Sequence, residues 1–336
     1  MRILSLTLAS ALVLAACGGS SETPRPSVQP TPVAPLPPPP PPPPPDKWAL
    51  STQVVQYSTG RPIAGAKVSV SGAEPVTTGA DGRFALGADA KPGWDPLPVT
   101  IEAAGHLTRK TFLDWQRGDR ATTVDLIPSA APFSATFFRQ LMHDTYDSPK
   151  APEDFVRWLE SPKFYVKTVD QRGRTVENDM LVAIRQAIPP AVRDFTGGVL
   201  SATIEEGRET RPMTEGWINV LIVDDPTDDE ACGRAFVGEN PGRITLYLDV
   251  CQCGSMKMPP SVVAHEVGHA LGFWHVSDRE SVMYPYHRGG CRPTELSGNE
   301  RYHAPLAYRR TPGHTAPDTD TDAAPLAAGR GREVVN

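Results

Sequence analysis

Residues 265 to 275 read His265-Glu266-Val267-Gly268-His269-Ala270-Leu271-Gly272-Phe273-Trp274-His275, which combines the residue types that metal-assisted hydrolysis requires. On a helix, positions four apart share one face, so the imidazoles of His265 and His269 can converge on one ion. Gly272 suits a left-handed helix terminus, which a β-carbon disfavours. The turn it permits brings His275 back as a third ligand. Three neutral imidazoles on a tetrahedral Zn2+ leave one position for water, whose pKa the metal lowers towards about 7. Glu266, beside the first ligand, is placed to act as general base and then as proton donor to a leaving amine. These roles cover the steps of amide hydrolysis. Against them stand a helix with surface histidines and a non-catalytic zinc-containing binding module.

The elements around this motif must position it. A helix from about Ser261 to Leu271 carries the first two histidines. Met180, Leu181, Ile184, Ala187 and Ile188 recur at helical spacing, with Gly197-Gly198 following. Trp217 to Val223 is a concentrated apolar run closed by Asp224-Asp225-Pro226, hence a buried strand. Ile244, Leu246 and Leu248 form one face of another strand, with Thr245, Tyr247 and Asp249 opposite. This alternation predicts an α/β (α+β) unit with a mixed twisted sheet over residues 129–312.

Upstream, residues 47–128 read as β. Val68 and Val70 alternate with Lys67, Ser69 and Ser71, and Val99, Ile101 and Ala103 alternate likewise. Turn signals at Ser58-Thr59-Gly60, Gly79-Ala80-Asp81-Gly82 and Ala104-Gly105 separate the runs. An all-β sandwich is expected there, which makes the chain multidomain.

At 336 residues the sequence has room for such a pair, and its net charge of −6 provides no basic field to gather nucleic acid. Arg2 followed by the apolar stretch Ile3 to Leu14 reads as an export signal over residues 1–17, too short to span a bilayer. Leu14-Ala15-Ala16-Cys17 resembles the lipobox of bacterial lipoproteins, in which the cysteine is lipidated; an ordinary cleaved signal is the plainer alternative. Residues 18–46 are linker, and Pro37 to Pro45 predict a polyproline II spacer. The expectation is an exported protein, lipid-anchored to the bacterial cell envelope at the outer membrane or cell surface and monomeric. Residues 313–336 read as a disordered tail, including the alternating Asp318, Asp320 and Asp322.

Cys232, Cys251, Cys253 and Cys291 remain, an even number that suggests up to two disulfides in an exported chain. Cys251 and Cys253 are too close to bridge each other along one strand. Each reaches for Cys232 or Cys291, with the pairing left open. A cysteine zinc site fits the spacing poorly.

Two resemblances follow from these residues. Gly60 to Val68 together with Thr78 to Phe84 resemble the carboxypeptidase regulatory-like β-sandwich, a non-catalytic module. The three-histidine motif together with Ser281-Val282-Met283-Tyr284-Pro285 resembles the metzincin zinc peptidases, most closely the matrixins. That likeness implies a Met-turn at Met283 as an apolar floor beneath the metal, and Tyr284 and Pro285 as walls of a substrate pocket. It further implies a protein or peptide substrate, Ile244 to Asp249 as the edge strand that binds it, and a closing helix from Leu296-Ser297 to Leu306. The upstream cysteine that blocks zinc in animal matrixins has no counterpart between Cys17 and Cys232. For a structural Ca2+, Asp224, Asp225, Asp228 and Asp229 are the acidic residues on offer, and a solvated loop is the simpler reading. His106, His143, His287, His303 and His314 show no ligand spacing.

Overall fold

In the first sheet, strand β1 (Trp48–Gln56) pairs antiparallel with β4 (Arg83–Ala88) and parallel with β8 (Ala121–Leu126), while β7 (Gln116–Arg117) extends it. A second sheet has the order β3 (Val76–Thr77), β2 (Lys67–Val70), β5 (Leu97–Glu102), β6 (Arg109–Leu113). Along β5, Leu97, Val99 and Ile101 are buried while Pro98 and Glu102 face solvent, the period of two that a half-buried strand imposes. The inward residues of both sheets, among them Leu50, Val54, Val68, Phe84, Ile101 and Leu126, form one hydrophobic cluster. Each such side chain contributes roughly 1.5–3 kcal/mol when fully buried. The computed structural model describes residues 48–70, 73–88, 96–117, 121–224, 231–248, 250–285, 295–311, 316–320 and 333–335. The expectations for residues 1–17 with Cys17, for the proline tract and for Cys291 lie outside them.

The third sheet has the order β10 (Thr203–Gly207), β9 (Lys163–Lys167), β11 (Trp217–Val223), β13 (Gly242–Tyr247), β12 (Gly233–Phe236), β14 (Glu333–Val335). Strands β9, β10, β11 and β13 run parallel, and β12 is antiparallel to β13. The residues of β11 are apolar except Asn219, as suits an interior parallel strand covered on both faces. The segment from Ile244 does not lie at an edge, contrary to expectation. Strand β13 sits between β11 and β12, and β12 in turn pairs with β14 on its other side. Strand order in sequence does not reveal order in space, and β12 is only four residues long.

Among the described residues, four helices accompany the sheets: α1 (Ala135–His143), α2 (Asn178–Thr196), α3 (Pro260–Ala270) and α4 (Gly298–Tyr308). Pro260 occupies the first turn of α3, where a missing N–H costs nothing. Gly197 closes α2 in the left-handed region. Ser297 and Glu300 cap α4 reciprocally. A large hydrophobic cluster joins α2, α3, α4 and the third sheet through Ile184, Phe195, Ile218, Val267, Met283 and Leu306. Among the described residues the chain is thus a mixed α/β protein with three sheets and four helices. No described helix is long and apolar enough to cross a membrane.

Polar contacts tie the first sheet to α4 and the residues after it, and the second sheet to residues 316–320. Tyr57 Oη donates to the Tyr302 carbonyl at 2.8 Å, and Arg310 pairs with Asp125 at 2.7 Å. Asp320 pairs with the buried Arg109 and accepts from Thr111 Oγ1 at 2.6 Å. The backbone of Asp320 also donates to the Lys110 carbonyl at 2.9 Å. The expectation of a disordered tail therefore needs correction at two places. Residues 316–320 dock on β6, because Asp320 neutralises an otherwise buried guanidinium, and Glu333–Val335 pair with β12.

Candidate metal centre

Helix α3 presents His265 and His269 four residues apart and then ends. Leu271 caps it, and Gly272 takes φ +109°, a conformation that a side chain would strain. A β-carbon there would also overlap the Val156 carbonyl. The chain thereby turns back and sets His275 against the other two histidines. The metal-ligand nitrogens of the three lie within 4.8 Å of one another, and all three residues are buried.

The hydrogen positions follow from the partners. His265 Nδ1 lies 2.5 Å from the Val282 carbonyl, His269 Nδ1 lies 2.7 Å from the Phe273 carbonyl, and His275 Nδ1 lies 2.7 Å from Asp147 Oδ2. Oxygens of these kinds only accept, so each Nδ1 carries the proton and each Nε2 is left with a bare lone pair. Yet His269 Nε2 lies 3.0 Å from His265 Nε2 and 3.2 Å from His275 Nε2. Three lone pairs so close and turned on one another repel unless a cation lies between them. Tetrahedral bonds of about 2.0–2.1 Å to zinc would separate ligand nitrogens by about 3.3 Å, close to these spacings. The residues present therefore fit a zinc ion with three imidazole ligands.

Glu266 is fully buried beside the first ligand. A β-carbon built on Gly233 would lie 2.5 Å from Glu266 Oε1, so the carboxylate presses on the bare backbone of β12. Met283 is fully buried beneath α3, and a β-carbon on Gly268 would overlap its sulfur. The helix can approach the methionine only because residue 268 is glycine. Glu300 Oε1 accepts from Ser281 Oγ at 2.5 Å and from Met283 N at 3.0 Å, while Oε2 accepts from Val282 N at 3.0 Å and Ser297 N at 2.7 Å. One carboxylate thus starts α4 and fixes the turn that carries Met283.

Tyr284 and Pro285 follow that turn and are half-buried. Cys232 is bonded to Cys251, and Cys253 is also in a disulfide. His143 and His303 are buried and hydrogen-bonded, consistent with structural roles. Asp224 pairs with Arg172 and Arg174, while Asp225, Asp228, Asp229, Asp249, His287 and His314 lie outside the described residues. Among the described residues, the three histidines form the one group arranged to hold a metal, and calcium gains no support. Asp147 had no local signal in the sequence, and the Ser297-x-x-Glu300 pattern marks only a helix start; each acts on the site from a distant position.

A family model described as Matrixin matches residues 254–302. No curated protein matches the chain. Among solved structures, the C-terminal domain of the shaft pilin spaA from Lactobacillus rhamnosus GG is similar at 13% identity and a TM-score of 0.20, over 25% of this chain and 98% of that one. A type II cohesin-X-dockerin complex from Acetivibrio cellulolyticus is similar at 21% identity and a TM-score of 0.19, over 27% of this chain and 65% of that one. The matched segment contains all three histidines, Glu266 and Met283, and together with their geometry it supports a metzincin-like zinc peptidase.

Proposed function

We propose that this chain is a zinc-dependent endopeptidase of matrixin-like type, acting on proteins outside the cell. The observation that carries the reading is the convergence of three unprotonated Nε2 atoms beside a buried glutamate. Zinc bound there would act as a Lewis acid on the scissile carbonyl and activate a water. His265, His269 and His275 hold the ion, with their Nδ1 protons spent on Val282, Phe273 and Asp147. Glu266 takes the proton of the attacking water and returns it to the leaving nitrogen. An extended peptide laid along β12 would pass Glu266, because Gly233 brings that strand against the carboxylate. Tyr284 and Pro285 would wall the pocket for the residue after the cut.

The resemblances support the rest of the proposal. Cys17 anchors the protein to the cell envelope by acyl chains, residues 18–46 hold it off the membrane, and the two upstream sheets form a carboxypeptidase regulatory-like module that does no chemistry. Glu266→Ala should keep zinc and abolish cleavage of casein, and a chelator should silence the wild type until zinc is returned. Full cleavage by Glu266→Ala would overturn the mechanism. Wild-type protein that keeps zinc but cuts nothing would be a binding module instead.

A further inference from the structure

Two of the three ligands are fixed by a helix, and the third is not. His275 lies beyond the end of α3, in a loop that begins at Gly272 in its positive-φ conformation. Its ring must be aimed from elsewhere. We propose that Asp147 is the positioning residue of this third ligand, and that α1 with the turn after it forms a cradle for the His275 loop. The inference rests on the zinc reading of the histidine group.

Several contacts build the cradle. The Trp274 N–H donates to the Leu141 carbonyl at 2.8 Å. Gln140 Oε1 accepts from both Ser277 N and Ser277 Oγ at 3.1 Å. Between these two anchors, Asp147 Oδ2 receives the His275 Nδ1 proton at 2.7 Å. The turn that delivers Asp147 is itself determined: Asp144 caps α1 in the left-handed region, and its carbonyl accepts from Ser148 N at 2.8 Å. Helix α1 is capped by Ser134, whose backbone N–H is bound by the buried His303 of α4. The cradle is thus tied to the same helix that fixes the Met-turn.

Asp147 also differs in kind from the partners of the other ligands. His265 and His269 each donate to a neutral carbonyl, whereas His275 donates to a carboxylate. A carboxylate on Nδ1 selects the tautomer, holds the ring plane and makes Nε2 a stronger donor to the metal. All of this comes from residues 134–148, upstream of the segment that the Matrixin model matches.

The test is zinc affinity, measured on full-length protein by competition with a chromogenic chelator, for wild type, Asp147→Asn and Asp147→Ala. Removing such an outer partner should weaken zinc roughly 10- to 100-fold for Asp147→Ala, with a smaller loss for the isosteric Asp147→Asn. Melting temperatures in excess chelator should stay level across the three, since positioning matters only when the ion is bound. The visible spectrum with Co2+ in place of zinc should shift in the variants. Affinities for Asp147→Ala within about twofold of wild type, or a loss fully explained by a less stable metal-free form, would overturn the proposal. Wild type that binds no zinc would overturn both this inference and the peptidase reading. A weakened variant in a protein that cuts no peptide would uphold the positioning role and sink only the peptidase.

Discussion

Glu300 binds the backbone N–H of Met283 at 3.0 Å from across seventeen residues of sequence, and the same carboxylate caps the helix it belongs to. Glu300→Ala should therefore damage two structures at once. It orphans the N–H groups of Val282 and Ser297, takes the Glu300 acceptor from the Ser281 hydroxyl, leaves Met283 N–H only its bond to Ser281 Oγ, and removes one half of the capping box. Each orphaned buried donor costs about 1–3 kcal/mol, so a loss of roughly 3 kcal/mol or more is expected in urea unfolding. A loss under about 1 kcal/mol would mean that the turn is held by packing alone.

Gly233 offers a cleaner probe of Glu266, the general base proposed above. Gly233→Ala places a methyl group against the Glu266 carboxylate and leaves the three histidines untouched. Zinc content should be unchanged while kcat/KM for a fluorogenic peptide falls by roughly 100-fold, the scale of a misplacement of about 1 Å. Equal loss of metal and activity would show that the methyl group disturbs the whole site.

Asp320 and Arg109 test the docking of the tail. Asp320→Ala strands a buried guanidinium, which should cost about 3–5 kcal/mol. Burial alone would push the Asp320 carboxyl up, but Arg109, Thr111 and Arg310 outweigh it and hold it below the usual carboxylate range. A carboxyl depressed in the folded state stabilises above its unfolded pKa of about 3.9, and that stability is lost as pH falls through the folded value. Acid unfolding of the wild type should therefore steepen below about pH 4, and the variant should lack that component.

Buried histidines give a second pH signature. Burial lowers both His143 and His303 below the ordinary imidazole value. The unfolded chain then binds protons that the folded chain refuses, so stability should decline as pH drops below about 6.5. With chelator present throughout, the slope of melting temperature against pH should be shallower in His303→Gln than in wild type. Parallel slopes would assign the decline to other groups.

How much of this was legible follows from the range of the interactions. The two helical ligands, the turn at Gly272 and the buried strand Trp217–Val223 are written in local spacing, and the structure places them as that spacing implies. The third ligand's partner is not local. Asp147 and His275 are 128 positions apart, and no periodicity links them. The edge strand was misplaced for a similar reason: β13 has its strong apolar alternation because it is interior, flanked by β11 and by the short β12, which itself pairs with β14. Helix α2 runs through Pro189-Pro190, which local propensity would read as a break; Ile184, Ile188, Val192 and Phe195, all fully buried, keep it continuous through core packing.

Strand β14 bears on the peptide path proposed along β12. Val334 and Val335 are registered against Ala235 and Arg234, so the amide and carbonyl groups that an incoming peptide would need on β12 already have a partner. A segment tethered to its own docking edge competes at an effective concentration in the millimolar range. A polypeptide bound along β12 as proposed would first have to displace this strand, which would favour long chains with further contacts over short ones.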